Sequence, residues 1–306
     1  MNGDFSHLRG WTPVAFDTET ATLEWADLRP GRFDRPFFRH SIEAWRGGDS
    51  PESRYSDLAA LFALDREPSL DPKVIIAQAS RCGSTLLARL TTAFEGTIAI
   101  GEPVVLTEVL SFAQDLAGHP RPHEVLRACA RALGRIRFGT ERNYVLKLNG
   151  LSVRFLPLFR QAFPRAKIVW LQRRPIEIVE SSMRVRDKRL GPQAITEQAF
   201  HETLRKLAIV FLAAKCFVEG EMRVLDYRDL PQAVEKVVAP LLGVAPTARE
   251  LARLEDLCRF DSHTGEPFVR GGPIALPRWV EEAVERSLDP IYLELDRRRH
   301  AAGAGA

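Results

Sequence analysis

The stretch Val74-Ile75-Ile76-Ala77-Gln78-Ala79-Ser80-Arg81-Cys82-Gly83-Ser84-Thr85-Leu86 decides the fold. Its first four residues are a short apolar run. Residues 78–83 form a small-residue loop that carries one cation, Arg81. From Ser84 onward (STLLARLTTAF) the apolar spacing is that of a helix. A buried parallel strand feeding a helix puts the helix N-terminus at the carboxyl end of the strand. Free backbone N–H groups and the helix dipole there make a site for a phosphate-like anion. Small residues at Ser80, Gly83, Ser84 and Thr85 let an anion approach the backbone. The hydroxyls of Ser84 and Thr85 add donors. The GxxxxGK[ST] loop of ATP- and GTP-binding proteins is not met, because no Lys follows Gly83 and the first Gly is missing. A tight strand–helix turn with no ligand is the structural alternative.

Working outward, the same rhythm repeats. Thr97–Ile100 is a second short strand that ends at Gly101-Glu102-Pro103. Tyr144–Leu148, Lys167–Gln172 and Arg223–Asp226 are three more. Helical patterns occupy 104–116, 121–136, 151–163, 193–218, 231–241, 246–258 and 277–299, and Pro175 opens another at a position proline tolerates. Short apolar strands alternating with helices predict an α/β fold, a three-layer arrangement with a parallel sheet flanked by helices. There is no internal repeat. Residues 1–68 have another texture, irregular and rich in aromatics (Trp11, Phe16, Trp25, Phe33, Phe37, Phe38, Trp45). They read as a few short strands or turns and then a helix near 56–64. The expected organisation is an N-terminal extension over 1–68 packed on the core, an α/β domain over 69–300 and a disordered tail over 301–306.

Composition narrows the function classes. The 306 residues carry 43 Lys+Arg against 40 Asp+Glu, a formal charge of +3, with 45% hydrophobic residues. That apolar content excludes a disordered chain, and the near balance of charge argues against a strongly basic nucleic-acid binder. All but seven of the cations are Arg, the residue suited to bidentate binding of phosphate and carboxylate, although codon bias accounts for the bulk of them. Cys82, Cys129, Cys216 and Cys258 are far apart, without the spacing of a disulfide framework or a zinc site. The N-terminus lacks the pattern of a secretory signal, and no run of 18 apolar residues occurs. A reducing cytoplasm is the simplest expected compartment.

A second strand–loop–helix lies at Lys167–Met183, KIVWLQRRPIEIVESSM. Arg173 stands at the strand's carboxyl edge, and Ser181 lies two helical turns into the following helix. An Arg and a Ser hydroxyl make a reasonable pair for a second phosphate, and a surface pairing of Arg173 or Arg174 with Glu177 or Glu180 is the alternative. Together, the two segments resemble the sulfotransferases that use 3′-phosphoadenosine 5′-phosphosulfate (PAPS). Ser80-Arg81-Cys82-Gly83-Ser84-Thr85-Leu86 resembles that family's (K/R)SGT(T/S)L loop. Arg173-Arg174-Pro175-Ile176-Glu177-Ile178-Val179-Glu180-Ser181-Ser182 is similar to its RDPRDVVVSS segment, with Arg174 in place of Asp. Lys147 within Val145–Asn149 resembles the family's strand Lys. Gly101-Glu102-Pro103 is similar to the Gly-Glu segment of protein-tyrosine sulfotransferases. Tyr227 in Leu225–Leu230 resembles its YEDL segment, and Phe268–Gly272 its FxRKG loop.

The resemblance implies a P-loop-type fold and sulfuryl transfer from PAPS to an acceptor, most often a hydroxyl, leaving adenosine 3′,5′-bisphosphate. It implies that Ser80, Arg81, Cys82, Gly83, Ser84, Thr85 and Leu86 hold the 5′-phosphate, and that Arg173, Ser181, Tyr227 and Arg270 hold the remainder of the nucleotide. Arg81 and Lys147 would stabilise the leaving group, Glu102 would act as general base, and no metal would be required. Glu102 also reads as a helix N-terminal carboxylate. His263 stays open as a competing base, whereas His119 and His123 flank a proline-rich surface loop. Cys82 is either a thiol activated by the helix N-terminus or a small packing residue. Small-molecule, carbohydrate, lipid or peptide acceptors remain open, and no nucleic-acid or membrane partner is expected. A P-loop kinase or NTPase, and a non-catalytic nucleotide-binding protein, are the alternative functions.

Overall fold

Five short strands make one parallel sheet, and their burial on both faces explains why they read as apolar runs. The structure is a computed structural model. It describes residues 4–29, 33, 35, 37–47, 52–115, 121–217, 222–261, 266–267 and 274–303. Three strands come first: β1 (Thr12–Asp17), β2 (Thr22–Ala26) and β3 (Ser53–Ser56). The parallel set follows: β4 (Val74–Gln78), β5 (Thr97–Gly101), β6 (Asn143–Lys147), β7 (Lys167–Gln172) and β8 (Arg223–Asp226). The helices are α1 (Phe38–Arg46), α2 (Ala59–Ala63), α3 (Ser84–Thr91), α4 (Val104–Asp115), α5 (Pro122–Leu133) and α6 (Leu156–Ala162). Beyond them come α7 (Pro175–Leu190), α8 (Glu197–Phe217), α9 (Ala239–Leu242), α10 (Ala248–Cys258), α11 (Arg278–Ser287) and α12 (Asp289–Gly303).

The parallel order is β5-β6-β4-β7-β8. The chain leaves β4 for the β5 edge, returns through β6, then crosses to the other side to lay down β7 and β8. The direction of the crossovers reverses at β4. Open α/β sheets bind ligands in the crevice at the carboxyl ends of the strands beside such a switch point. Ile76 pairs with Lys147, the last residue of β6, and Gln78 with Leu171 of β7, so both neighbours end close to where β4 ends.

All five predicted parallel strands are present within a residue of their expected bounds. Some helices differ. The predicted helix at 151–163 begins as a tight 3-10 segment, Gly150–Phe155, before α6. The C-terminal pattern at 277–299 is two helices, α11 and α12, broken at Leu288. Pro290 explains the break, since it has no N–H to donate to the Arg286 carbonyl and its ring crowds that carbonyl.

Residues before β4 are more regular than their composition suggests. β1, β2 and β3 form an antiparallel sheet in that order. Trp25 is fully buried and donates its indole N–H to Ser56 Oγ at 2.8 Å. The Phe16 ring of β1 meets Phe112 of α4 edge-on, with centroids 5.2 Å apart. Leu8, Leu23 and Trp25 belong to the same buried cluster as the parallel strands. Helix α1 is not among the expected elements, although Phe38, Ile42 and Trp45 follow helical spacing and pack on the core. Among the described residues, no helix is long and apolar enough to cross a membrane.

Candidate active site

The carboxyl ends of the five parallel strands each deliver one predicted residue or segment to the same sheet edge. β4 delivers the loop before α3, β5 delivers Glu102, β6 delivers Lys147, β7 delivers Arg173 and β8 delivers Tyr227. The loop itself is unusual. Ser80 (φ 60°), Arg81 (φ 47°) and Gly83 (φ 84°) all lie in the left-handed region. For the two non-glycine residues this stores strain of the kind found at ligand clamps. Among the described residues, no group accepts a hydrogen bond from the backbone N–H of Ser80, Arg81 or Gly83. Consecutive left-handed residues with free N–H groups make a concavity that suits an anion.

Two glycines allow the close approaches. A Cβ on Gly83 would stand 2.6 Å from Cδ2 of Tyr227, and one on Gly150 would stand 2.4 Å from Ser80 Oγ. Beneath the loop, Gln78 acts as the organiser. Its Nε2 donates to Glu102 Oε1 (2.8 Å) and to the Leu148 carbonyl (2.9 Å), and its Oε1 accepts from Ser84 Oγ at 2.6 Å. One buried amide thus links β4, β5, β6 and the start of α3. The Ser84 hydroxyl, expected to face the anion, donates instead to Gln78. No hydrogen bond within the protein engages the Thr85 hydroxyl among the described residues.

Lys147 and Glu102 form an ion pair through Glu102 Oε1. Lys147 has no exposed surface, while the Glu102 side chain is 28% exposed. Burial pulls the Lys147 ammonium below its ordinary value, and the Glu102 carboxylate opposes that shift. The Phe37 ring lies 4.7 Å from Lys147 Nζ, so the N-terminal segment reaches over this pair. Glu102 holds a left-handed backbone (φ 51°), and its N–H donates to the Lys147 carbonyl at 2.8 Å.

On the other side of β4 the cations converge. Arg81 Nε donates to Ser181 Oγ at 3.2 Å. Arg173 pairs with Glu177 at 2.7 Å, stacks over the Tyr227 ring at 4.6 Å, and reaches the Arg81 carbonyl at 3.5 Å. Arg173 and Ser181 therefore flank Arg81 rather than touching each other. The Arg81 residue keeps an open face, yet desolvation in the crevice pulls its guanidinium below the ordinary value, and the like charges of Arg189 and Arg173 add to this. Such a cluster of cations is relieved by a bound anion.

Cys82 resolves in favour of packing. It is fully buried, close to Gln78 Oε1 at 4.0 Å, and burial pushes its thiol up to about 11. Of the two readings of Cys82, the small packing residue is the one that fits, because desolvation outweighs the hydrogen bonds and charges that favour the thiolate. Leu86 lies half-buried in the first turn of α3 and adds packing rather than polar contacts. Arg270, His263 and His119, with the Phe268–Gly272 segment, lie outside the described residues. Gln78, Gly150 and Phe37 also contact this sheet edge, and sequence reasoning does not single them out. A glutamine that closes an apolar strand directly before the loop is the one available signal.

No family model and no curated protein matches the chain. Among the solved structures similar to it are sulfotransferases. One from Alicyclobacillus acidocaldarius shares 16% identity over 76% of this chain and 96% of its own, at a TM-score of 0.47. One from Mycobacterium avium shares 13% over 77% of this chain and 78% of its own, at 0.45. A mouse sulfotransferase complexed with PAP shares 14% over 80% of this chain and 93% of its own, at 0.44. At such identities the chemistry has to come from the chain's own residues.

Proposed function

We propose that the protein is a PAPS-dependent sulfotransferase that passes a sulfuryl group to an acceptor hydroxyl. The observation that carries this reading is the delivery of Arg81, Glu102, Lys147, Arg173 and Tyr227 to one sheet edge around a loop with free backbone donors. The residues fit a doubly phosphorylated nucleotide. The 80–85 loop takes one phosphate. Arg173 and Ser181, two sides of the pocket around Arg81, take the other, and Arg270 would join them. The donor supplies an activated sulfuryl group. Tyr227, held against Gly83, offers a flat apolar wall beside the loop.

Sulfuryl transfer resembles phosphoryl transfer, in which positioning and charge stabilisation do most of the catalysis. Arg81 and Lys147 bring positive charge to the side where the leaving phosphate gains charge, and they do so from a desolvated setting where that charge counts most. The Glu102 side chain is partly exposed at the crevice, and its Oε2 has no partner among the described residues, which suits it to take the acceptor's proton. The ion pair with Lys147 holds that carboxylate in position.

Thermal shift separates this reading from a kinase or NTPase. Adenosine 3′,5′-bisphosphate should raise the melting temperature without a metal, and ATP with Mg²⁺ should not. Stabilisation by ATP-Mg alone would overturn the reading. Arg81→Ala and Lys147→Ala should each lower sulfate transfer by about 10²–10³-fold in folded protein. Unchanged biological activity in both would point to a non-catalytic nucleotide-binding protein.

A further inference from the structure

Three strands of the parallel sheet end in a buried polar side chain. Gln78 closes β4 ahead of the loop, Gln172 closes β7 ahead of Arg173, and Asp226 closes β8 ahead of Tyr227. Gln172 and Asp226 are partners in the β7–β8 register. Both reach one residue of α12, Tyr292, which is itself buried. The Tyr292 hydroxyl donates to Asp226 Oδ2 at 2.9 Å, and the Tyr292 carbonyl accepts from Gln172 Nε2 at 3.5 Å. Trp170 Nε1 donates to Gln172 Oε1 at 3.2 Å and fixes the other end of that amide. The turn after β8 is tied down further. Arg228 donates to Asp226 Oδ1 through its backbone N–H (3.0 Å) and its Nε (2.7 Å), and its Nη2 donates to the Tyr292 hydroxyl at 2.8 Å. Asp229 Oδ2 accepts from the Asp226 N–H at 2.8 Å, and Asp229 Oδ1 accepts from Arg299 Nη1 at 2.6 Å. Tyr292 and Arg299 stand two turns apart on one face of α12.

Between the anchored Asp226 and Asp229 stands Tyr227, whose ring meets Gly83 of the loop and the Arg173 guanidinium. The network therefore governs the backbone from which that ring projects. A buried carboxylate is a costly way to join a strand to a helix, since an apolar pair of similar volume serves stability as well. What a carboxylate with three donors adds is one defined geometry for the chain on either side of it. Asp226 is 1% exposed and has those three donors in Tyr292 Oη, Arg228 N and Arg228 Nε. Burial, then the charge of Asp226, pushes the Tyr292 phenol above its ordinary value, so it keeps the proton it donates. A phenylalanine in its place would fill the same space and leave Asp226 Oδ2 buried without that donor. The 226–229 turn would then be free to shift, and the Tyr227 ring with it.

We propose that Tyr292 is a positioning residue of the crevice: through Asp226 it fixes the Tyr227 ring against Gly83 and Arg173, and so presets the donor half for its nucleotide. This role rests on the crevice being a nucleotide site, so the test keeps the two apart. The full chain carrying Tyr292→Phe is compared with the parent by calorimetry with adenosine 3′,5′-bisphosphate, by initial rates and by amide hydrogen exchange. The affinity should fall about fivefold or more, the factor that one lost hydrogen bond implies, while kcat at saturating PAPS stays within about twofold. Exchange over 226–230 should speed up. In a Tyr227→Ala background the same substitution should change the affinity less than about twofold, a non-additivity that a general loss of stability does not produce. A lower melting temperature with unchanged affinity and unchanged exchange at 226–230 would reduce Tyr292 to packing and overturn the proposal. Equal losses of affinity in both backgrounds would overturn it as well. If the parent binds no adenosine 3′,5′-bisphosphate, the nucleotide reading falls instead, and exchange over 226–230 alone decides whether Tyr292 fixes Tyr227. Should Tyr292→Phe not fold, Arg228→Met, at a side chain 54% exposed, removes another donor to Asp226 and should give the same pattern.

Discussion

Gly83 is the residue where backbone and side-chain constraints meet. Its left-handed φ of 84° is strained for any L side chain, and an added Cβ would strike Tyr227 at 2.6 Å. Gly139 has a similar φ of 74° but nothing within 4 Å of an added Cβ. Gly139→Ala should therefore cost only the backbone term, about 1 kcal/mol, whereas Gly83→Ala should cost more and also displace Tyr227. Urea denaturation of both variants checks this, and equal losses would show that the Tyr227 contact is unimportant. Cysteine chemistry gives a second check. Cys216 is exposed, while burial raises Cys82 to about 11 and Cys129 to about 12. Iodoacetamide at pH 8 should label Cys216 in the native protein and leave Cys82 and Cys129 untouched until unfolding, as read by peptide mass mapping. The raised pKa of Cys82 has a defined sign. Its contribution to stability is fully present below the reference value of 9.0 and is lost as pH rises through about 11. The residues legible in the sequence, Arg81, Glu102, Lys147 and Arg173, are those whose neighbours in the chain mark a strand end. Gln78, Gly150 and Phe37 act through contacts with distant segments, which spacing does not encode.

The strands are more legible than the helices because burial on both faces leaves a run of apolar residues with nothing to confuse it. The helices blur where a 3-10 turn or a proline shifts their ends, as at Gly150–Phe155 and at Leu288. The functional weight of the strand ends rests on Gln78, which fixes Glu102 and Ser84 from below. Gln78→Leu removes both bonds while keeping much of the volume. It should lower the turnover of sulfate transfer about tenfold or more, with the affinity for adenosine 3′,5′-bisphosphate changed much less, because the loop's N–H donors remain. Glu102→Gln should show the same split more strongly, as loss of a general base, by about 10²–10⁴-fold. Calorimetric binding beside initial-rate kinetics separates the two quantities. A parallel loss of binding and turnover would mean that Gln78 supports the loop as a whole.

At the scale of the whole molecule, the N-terminal sheet and the parallel sheet share one buried cluster. Trp25 sits in it without exposed surface and with its indole N–H satisfied. Trp25→Ala should destabilise the protein by about 3–5 kcal/mol, and backbone circular dichroism and tryptophan fluorescence should report one coincident transition in the parent chain. Separate transitions would show that the two sheets unfold independently. The reversal of strand order at β4 carries one more consequence. The cations around Arg81 come from the β7–β8 side, whereas Glu102, Lys147 and the covering Phe37 come from the β5–β6 side. The two halves of the crevice are thus written in separate stretches of chain, with β4 and its loop between them in the sheet. Such a layout is modular: under the proposed function, exchanging the segments beyond Glu102 and Lys147 should change acceptor preference and leave the affinity for adenosine 3′,5′-bisphosphate intact.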